Sequence, residues 1–352
     1  MDPNDIQRWL NPDWRDRLEA WWEGYDLAHL HAQAKEAKGM RAARWASKAT
    51  PRRLESAPAA ADPAPDAAAA SAAVEPDEDL EARQLEGLDI DRRGKPVWTV
   101  EQVRGAQMLW GDDFVGPGDA QFMVDAVRPF GLNPAKSVLD CSAGLGGAAR
   151  AIVGAYDTWV TALEPSPLLA KMGMRRSEAL DLGRKAPVVS YDPETFNPAG
   201  SYDLVLADRI LHRVRDKGPY LDHLCDCVKP RGSALLMDYV IDGAPNSWDS
   251  WNGWKDSEPL ELYPWTAQRM KDELVQRNMD VRIVEDITAK LRRLIVERVR
   301  WLADALQSGL AGAAADKGVM TGLARELQLW WARLKVLGHG LRYYRFVALK
   351  PA

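Results

Sequence analysis

A chain of 352 residues, 46% of them apolar, is long enough to bury a sizeable core and to divide into two units. Its formal charge of -5 and the lack of any Lys/Arg-rich run argue against nucleic acid, because a duplex binder needs a dense basic patch to displace counterions. Three cysteines, Cys141, Cys225 and Cys227, make neither a disulfide framework nor a zinc spacing, and no apolar run reaches the length of about 18 residues that a membrane span requires.

The first ten residues, MDPNDIQRWL, carry neither the basic nor the apolar region of a secretory leader, so the expected location is the cytoplasm. Across residues 1–50 the apolar positions Trp14, Leu18, Trp21, Trp22, Tyr25 and Leu30 recur at helical spacing, which predicts one or two amphipathic helices. Residues 51–93, with APAAADPAPDAAAASAAVEPDEDLEA at their centre, are alanine, proline and acid with little to bury, and read as a disordered linker. Residues 94–352 read as the globular part.

There the pattern alternates between strand and helix. SVLDC (137–141), WVTALE (159–164), PVVSY (187–191), YDLVLAD (202–208) and GSALLMDYV (232–240) are strand candidates. VRIVEDI and YYRFVALK add two more after long helical stretches. The expected fold is α/β: a Rossmann-like, doubly wound, seven-stranded, mostly parallel sheet with a helical cap over about 242–340 and an N-terminal helical arm. Ligands of such sheets sit at the carboxyl ends of the strands, where strand order reverses.

The turn after the first strand, in KSVLDCSAGLGGAAR, fits that rule. Asp140 closes the strand, and Ser142, Gly144, Gly146 and Gly147 follow at the spacing Asp-x-Ser-x-Gly-x-Gly-Gly rather than G-x-G-x-x-G. An aspartate there would repel a pyrophosphate and suits a cationic amino acid instead. Glu164, followed by Pro165, ends the second strand, where a carboxylate can grip a ribose diol. Asp192 after VVSY suits an adenine amino group or a plain turn equally. His212, behind the apolar RIL, is either a packed histidine or a proton acceptor. His29, His31, His223 and His339 have no comparable context.

At these residues the chain resembles the class I S-adenosylmethionine-dependent methyltransferases, with LDCSAGLGG as their glycine-rich motif and ALEPS as the ribose acid. VWTVEQVRGAQMLWGDDFVGPGDAQFMVDAV, DRILHRV, KPRGSALLMDYV and LRYYRFVALK further resemble the phosphoethanolamine N-methyltransferases and their small-molecule relatives, over roughly Pro96 to Lys350. The resemblance implies S-adenosyl-L-methionine as cofactor and a small acceptor, an amine. It places Asp208 and His212 of D-x-x-L-H beside that acceptor, with His212 as general base. It places Tyr239 on the acceptor's phosphate, and Val115 and Gly116 on the cofactor.

Two positions depart from the family. Trp98 stands where a tyrosine would pair with the histidine, and an indole only donates. Leu260 and Leu262 stand where an arginine and a tyrosine would hold phosphate, leaving Arg333 and Lys335 of the last helix as the remaining cations. Fifteen tryptophans are many for this length. Trp248, Trp251, Trp254 and Trp265 serve either as core packing or as an acceptor pocket, and Trp251 and Trp254 are the acceptor candidates. The alternative to an enzyme is a non-catalytic scaffold or sensor of the same fold, whose tryptophan-rich N-terminal helices bind a protein partner.

Overall fold

The strand candidates pair into one seven-stranded sheet, ordered β3-β2-β1-β4-β5-β7-β6 in the computed structural model of the chain. The strands are β1 (Ser137–Asp140), β2 (Trp159–Glu164), β3 (Val188–Ser190), β4 (Tyr202–Asp208), β5 (Val228–Ile241), β6 (Asp280–Asp286) and β7 (Leu341–Leu349). β1 to β5 pair in parallel, and β7 runs antiparallel between β5 and β6. The central strands read as continuous apolar runs because they are covered on both faces: Val138, Leu139, Leu204 and Val205 are fully buried. β6, at the edge, leaves Ile283 and Val284 exposed between charged residues.

The structure describes residues 32–37, 82–243, 245–307 and 317–352. The chain divides into two compact units, Met1–Val74 and Glu75–Ala352. Within the first, residues 32–37 are helical. The rest of the N-terminal helical reading, and the linker up to residue 81, lie outside the described residues.

Residues 82–93, expected in the linker, are instead built into the second unit. Ala82 is buried against Val100 and Val103. The Glu86 carboxylate accepts from the Val100 N–H at 2.9 Å, and Asp91 accepts from the amides of Arg93 and Lys95 at 2.8 and 2.9 Å. Arg92 donates to the carbonyls of Lys255 and Glu258 at 2.7 and 3.0 Å. Ala82 and Leu85 join a cluster with Leu145, Leu168 and Leu169 far along the chain, which composition averaged over the stretch does not show.

Helix α1 (Val100–Trp110) starts at Thr99, whose hydroxyl accepts from the Gln102 N–H at 3.2 Å. It is followed by α2 (Ala120–Val127), α3 (Gly147–Tyr156), α4 (Pro167–Ala179) and α5 (Lys217–Asp226). The region between β5 and β7 holds α6 (Trp248–Ser257), α7 (Ala267–Gln276), α8 (Thr288–Gln307) and α9 (Lys317–Val336). α1 and α9 meet backbone to backbone. A Cβ on Gly105 would lie 2.3 Å from the Leu323 nitrogen, and one on Gly322 would lie 2.6 Å from the Glu101 carbonyl. That approach carries α9 across the chain onto the ligand-facing end of the sheet. Among the described residues no helix is long and apolar enough to cross a membrane.

Candidate active site

Strand order reverses at β1, with β2 on one side and β4 on the other. The carboxyl ends of these three strands carry Asp140, Glu164 and Asp208, and all three line one cavity of about 790 Å³. The cavity has a half lined by carboxylates and a half lined by arginines.

In the carboxylate half, Asp140 Oδ1 accepts from the Ser142 amide at 3.0 Å and its hydroxyl at 3.2 Å. Glu164 accepts from the Gly144 N–H at 2.7 Å through Oε2 and from the Ser166 N–H at 2.9 Å through Oε1. Backbone donors hold both acids, and no Lys or Arg bonds to either among the described residues. Burial therefore dominates: it lifts Asp140 to about 6, with Asp208 nearby adding to the rise, and Glu164 to about 7. Ser142 also accepts the Asp208 N–H at 2.8 Å, tying β1 to β4. Pro165, Val115, Gly116 and Asp192 join the wall. Asp192 additionally caps a short turn, accepting from the Glu194 N–H at 2.9 Å and the Thr195 hydroxyl at 3.2 Å.

The glycines of the turn divide the work. Gly144, at φ +56°, lines the cavity with Val115 Cγ2 only 3.3 Å from where its Cβ would be. Gly146 and Gly147, expected at the cofactor, are absent from the wall. A Cβ at Gly146 would meet Val188 Cγ2 at 2.7 Å, and one at Gly147 would meet the Asp113 carbonyl at 2.4 Å. Gly147 thus admits Asp113 and Phe114 over the turn, and Gly146 admits Val188 and the guanidinium of Arg150, which Asp113 binds at 2.8 Å as it binds Arg176 at 3.1 Å.

The arginine half is built mostly from residues the sequence does not single out. Asp208 Oδ2 binds Arg209 Nε and Nη2 at 3.0 and 2.6 Å, and its Oδ1 accepts from the Tyr343 hydroxyl. Arg209 holds φ at +54°, a conformation that bulky residues rarely adopt. Asp208, expected to face an ammonium, is thus already paired. Arg333 of α9 makes a two-point bond to Glu258 at 2.6 and 2.8 Å. Burial raises the Glu258 acid, but Arg333 overrides it and holds the carboxyl at about 2. Lys335 is absent from the wall and lies over the Trp331 ring.

His212 is buried, with Nδ1 2.7 Å from Asp238 Oδ1 and Nε2 without a protein partner. Burial lowers its pKa, with Asp238 opposing, so the imidazole is neutral at pH 7. It is not part of the cavity wall; Tyr239, whose ring lies edge-on to it at 4.9 Å, is. Trp98 lines the cavity where the resemblance puts a closing segment. Trp251 and Trp254, expected at the acceptor, do not. Trp254 is buried and donates to Glu258 at 2.8 Å, and Trp251 packs edge-on against it at 5.0 Å. These two form the packing face of α6. Besides Trp98, the wall holds Trp330 of α9, which lies under the Arg333 guanidinium at 4.3 Å and edge-on to Trp110.

A donor-rich, cationic ligand fits the carboxylate half. Among the described residues no Lys or Arg bonds to the two buried acids there, and the Gly144 backbone leaves room beside them. Among the described residues no cluster of His, Cys, Asp and Glu could hold a metal ion, and all three cysteines are buried and free.

A family described as a methyltransferase domain matches residues 119–282. Two curated relatives align with under half of the chain. A ubiquinone/menaquinone biosynthesis C-methyltransferase from Laribacter hongkongensis is 27% identical over 156 residues, 43% of this chain and 58% of that protein. A highly reducing polyketide synthase from Purpureocillium lilacinum is 28% identical over 183 residues, 46% of this chain and 7% of that protein.

Solved structures share the fold. Phosphoethanolamine N-methyltransferase 2 from Haemonchus contortus, with phosphomonomethylethanolamine and S-adenosylhomocysteine, superposes with a TM-score of 0.64 at 16% identity, over 77% of this chain and 60% of that one. A putative sarcosine dimethylglycine methyltransferase from Galdieria sulphuraria superposes with a TM-score of 0.56 at 13% identity, over 71% of this chain and 98% of that one. The chain thus spans less than two thirds of both curated relatives and of the Haemonchus protein.

Proposed function

We propose that the chain is a class I S-adenosylmethionine-dependent methyltransferase that transfers a methyl group to a small-molecule acceptor held in the arginine-lined half of the cavity, a reading supported by the methyltransferase-domain match over residues 119–282 and by the sheet order. The observation that carries this reading is the pair of buried carboxylates at the switch point, Asp140 and Glu164, without a protein cation and opening into the same space as Arg209, Arg213 and Arg333. Glu164 would hold the ribose hydroxyls, and Asp140 and Ser142 the amino-acid end. Val115, Gly116, Pro165 and Asp192 would close around the nucleoside.

The bound cofactor supplies a methyl group on a sulfonium, already activated for displacement. What remains for the protein is to align the acceptor and to remove its proton. An amine is the acceptor this reading favours. Asp208 is committed to Arg209 and Tyr343, so among the other carboxylates of the wall Asp89, on the 82–93 segment, is the one this reading assigns to an ammonium. His212, behind the wall and edge-on to Tyr239, is the candidate base: neutral at pH 7, oriented by Asp238, with Nε2 unpartnered among the described residues.

The test is a screen of amine, phospho-amine and phenolic acceptors for S-adenosylhomocysteine formation, repeated with His212→Ala. The expected outcome is product with an amine, a bound cofactor in both proteins and single-turnover transfer slowed about 100-fold or more in the variant. An unaltered rate would remove His212 from the chemistry. No product in any class would favour the scaffold.

A further inference from the structure

Three arginines line the cavity, and two of them are satisfied. Arg209 is bonded to Asp208 and Arg333 to Glu258. Arg213, in the loop between β4 and α5, has no carboxylate within ion-pair distance among the described residues, and its Nε is buried without a partner. Two of the acids that act on it electrostatically are engaged elsewhere. Glu258 is held by Arg333 and Trp254, and Asp238 by His212 and two backbone amides. Asp89 and Glu164 also feel the Arg213 charge, and no hydrogen bond joins either to it among the described residues.

Beside Arg213 in the same wall is Tyr239, 3% exposed, whose hydroxyl has no partner among the described residues. A buried O–H and a buried guanidinium N–H left unmade each cost free energy that a ligand oxygen would recover. The same wall also carries the apolar side chains Trp98, Pro259, Leu260, Leu329 and Trp330.

We propose that Arg213 and Tyr239 form an anion subsite for the acceptor, which carries an anionic oxygen group, a carboxylate in preference to a phosphate. One unpaired guanidinium matches one carboxylate, in two-point geometry. A phosphate dianion would be one positive charge short. Arg213 thereby takes over the task of the cation missing at Leu260 and Leu262, from a different part of the chain. The inference rests on the reading of this half as the acceptor site.

The test uses the full chain saturated with S-adenosylhomocysteine and titrated calorimetrically at constant ionic strength with benzoate, its neutral isostere benzyl alcohol, and phenyl phosphate. Benzoate is expected to bind at least tenfold more tightly than benzyl alcohol. Arg213→Met should weaken benzoate at least tenfold, Arg213→Lys less, and Tyr239→Phe several-fold, while S-adenosylhomocysteine affinity stays within twofold in every variant. Phenyl phosphate weaker than benzoate supports the carboxylate; phenyl phosphate tighter overturns that preference and leaves the anion subsite standing. Equal binding of benzoate and benzyl alcohol, or unchanged benzoate affinity in both Arg213→Met and Tyr239→Phe, overturns the subsite. If S-adenosylhomocysteine does not bind the unaltered protein, the methyltransferase reading fails instead, and benzoate titrated alone still reports on Arg213.

Discussion

The two halves of the cavity treat buried charge in opposite ways. Asp140 and Glu164 are held by backbone N–H groups and, at Asp140, the Ser142 hydroxyl, and burial raises them to about 6 and about 7. Glu258, equally buried, faces Arg333 at 2.6 Å and stays ionised, at about 2. Neutral donors only partly offset desolvation, whereas a guanidinium at contact overrides it. The first half thus waits for a cation or a hydroxyl from outside, and the second half is largely self-neutralised, with Arg213 the exception.

The sharpest way to break that comparison is Arg333→Met. It would leave Glu258 buried without its cation and should cost about 3–5 kcal/mol of stability, read by urea unfolding. Adding Glu258→Gln should restore most of it. If the single variant unfolds at the same urea concentration as the unaltered protein, the pair is not the self-contained unit described.

A smaller effect falls on the other half. Glu164→Gln should weaken S-adenosylmethionine about 10- to 100-fold, the loss of charge-assisted hydrogen bonds worth about 1.5–3 kcal/mol. In the unaltered protein the folded Glu164 pKa lies above its unfolded value, so the folded state binds the extra proton. This contribution to stability is therefore greatest below the unfolded pKa near 4.5 and is lost as pH rises through about 7. A ligand that requires the ionised carboxylate behaves the other way, and its affinity should rise about tenfold between pH 6 and 8, with proton release on binding. Calorimetry in two buffers of different ionisation enthalpy checks this, and the dependence should flatten in Glu164→Gln.

The smallest effect is expected at the tryptophans of α6. Trp251→Leu should lower the melting temperature while changing S-adenosylmethionine and acceptor binding less than about twofold, as packing residues outside the wall should. A tenfold loss of acceptor affinity at unchanged stability would return Trp251 to the pocket.

The sequence by itself determined the sheet and the carboxylate half. Each strand is a run of adjacent residues whose apolar pattern is visible locally. Asp140, Ser142 and Gly144 sit within five residues of one another, and Glu164 ends the next strand, so local order already brings them together. Only the tertiary structure decided the arginine half. Arg213, Tyr239, Glu258, Trp330 and Arg333 lie on four separate segments, and α9 reaches the site because Gly105 and Gly322 let two helices touch backbone to backbone. The same holds where local reading misplaced a residue. Gly146 and Gly147 face Val188 and the Asp113 carbonyl rather than the cavity, and Trp254 turns its indole to Glu258. Periodicity and spacing report what a residue can bury or bond, but which distant neighbour supplies the partner is settled by the packing of the whole domain.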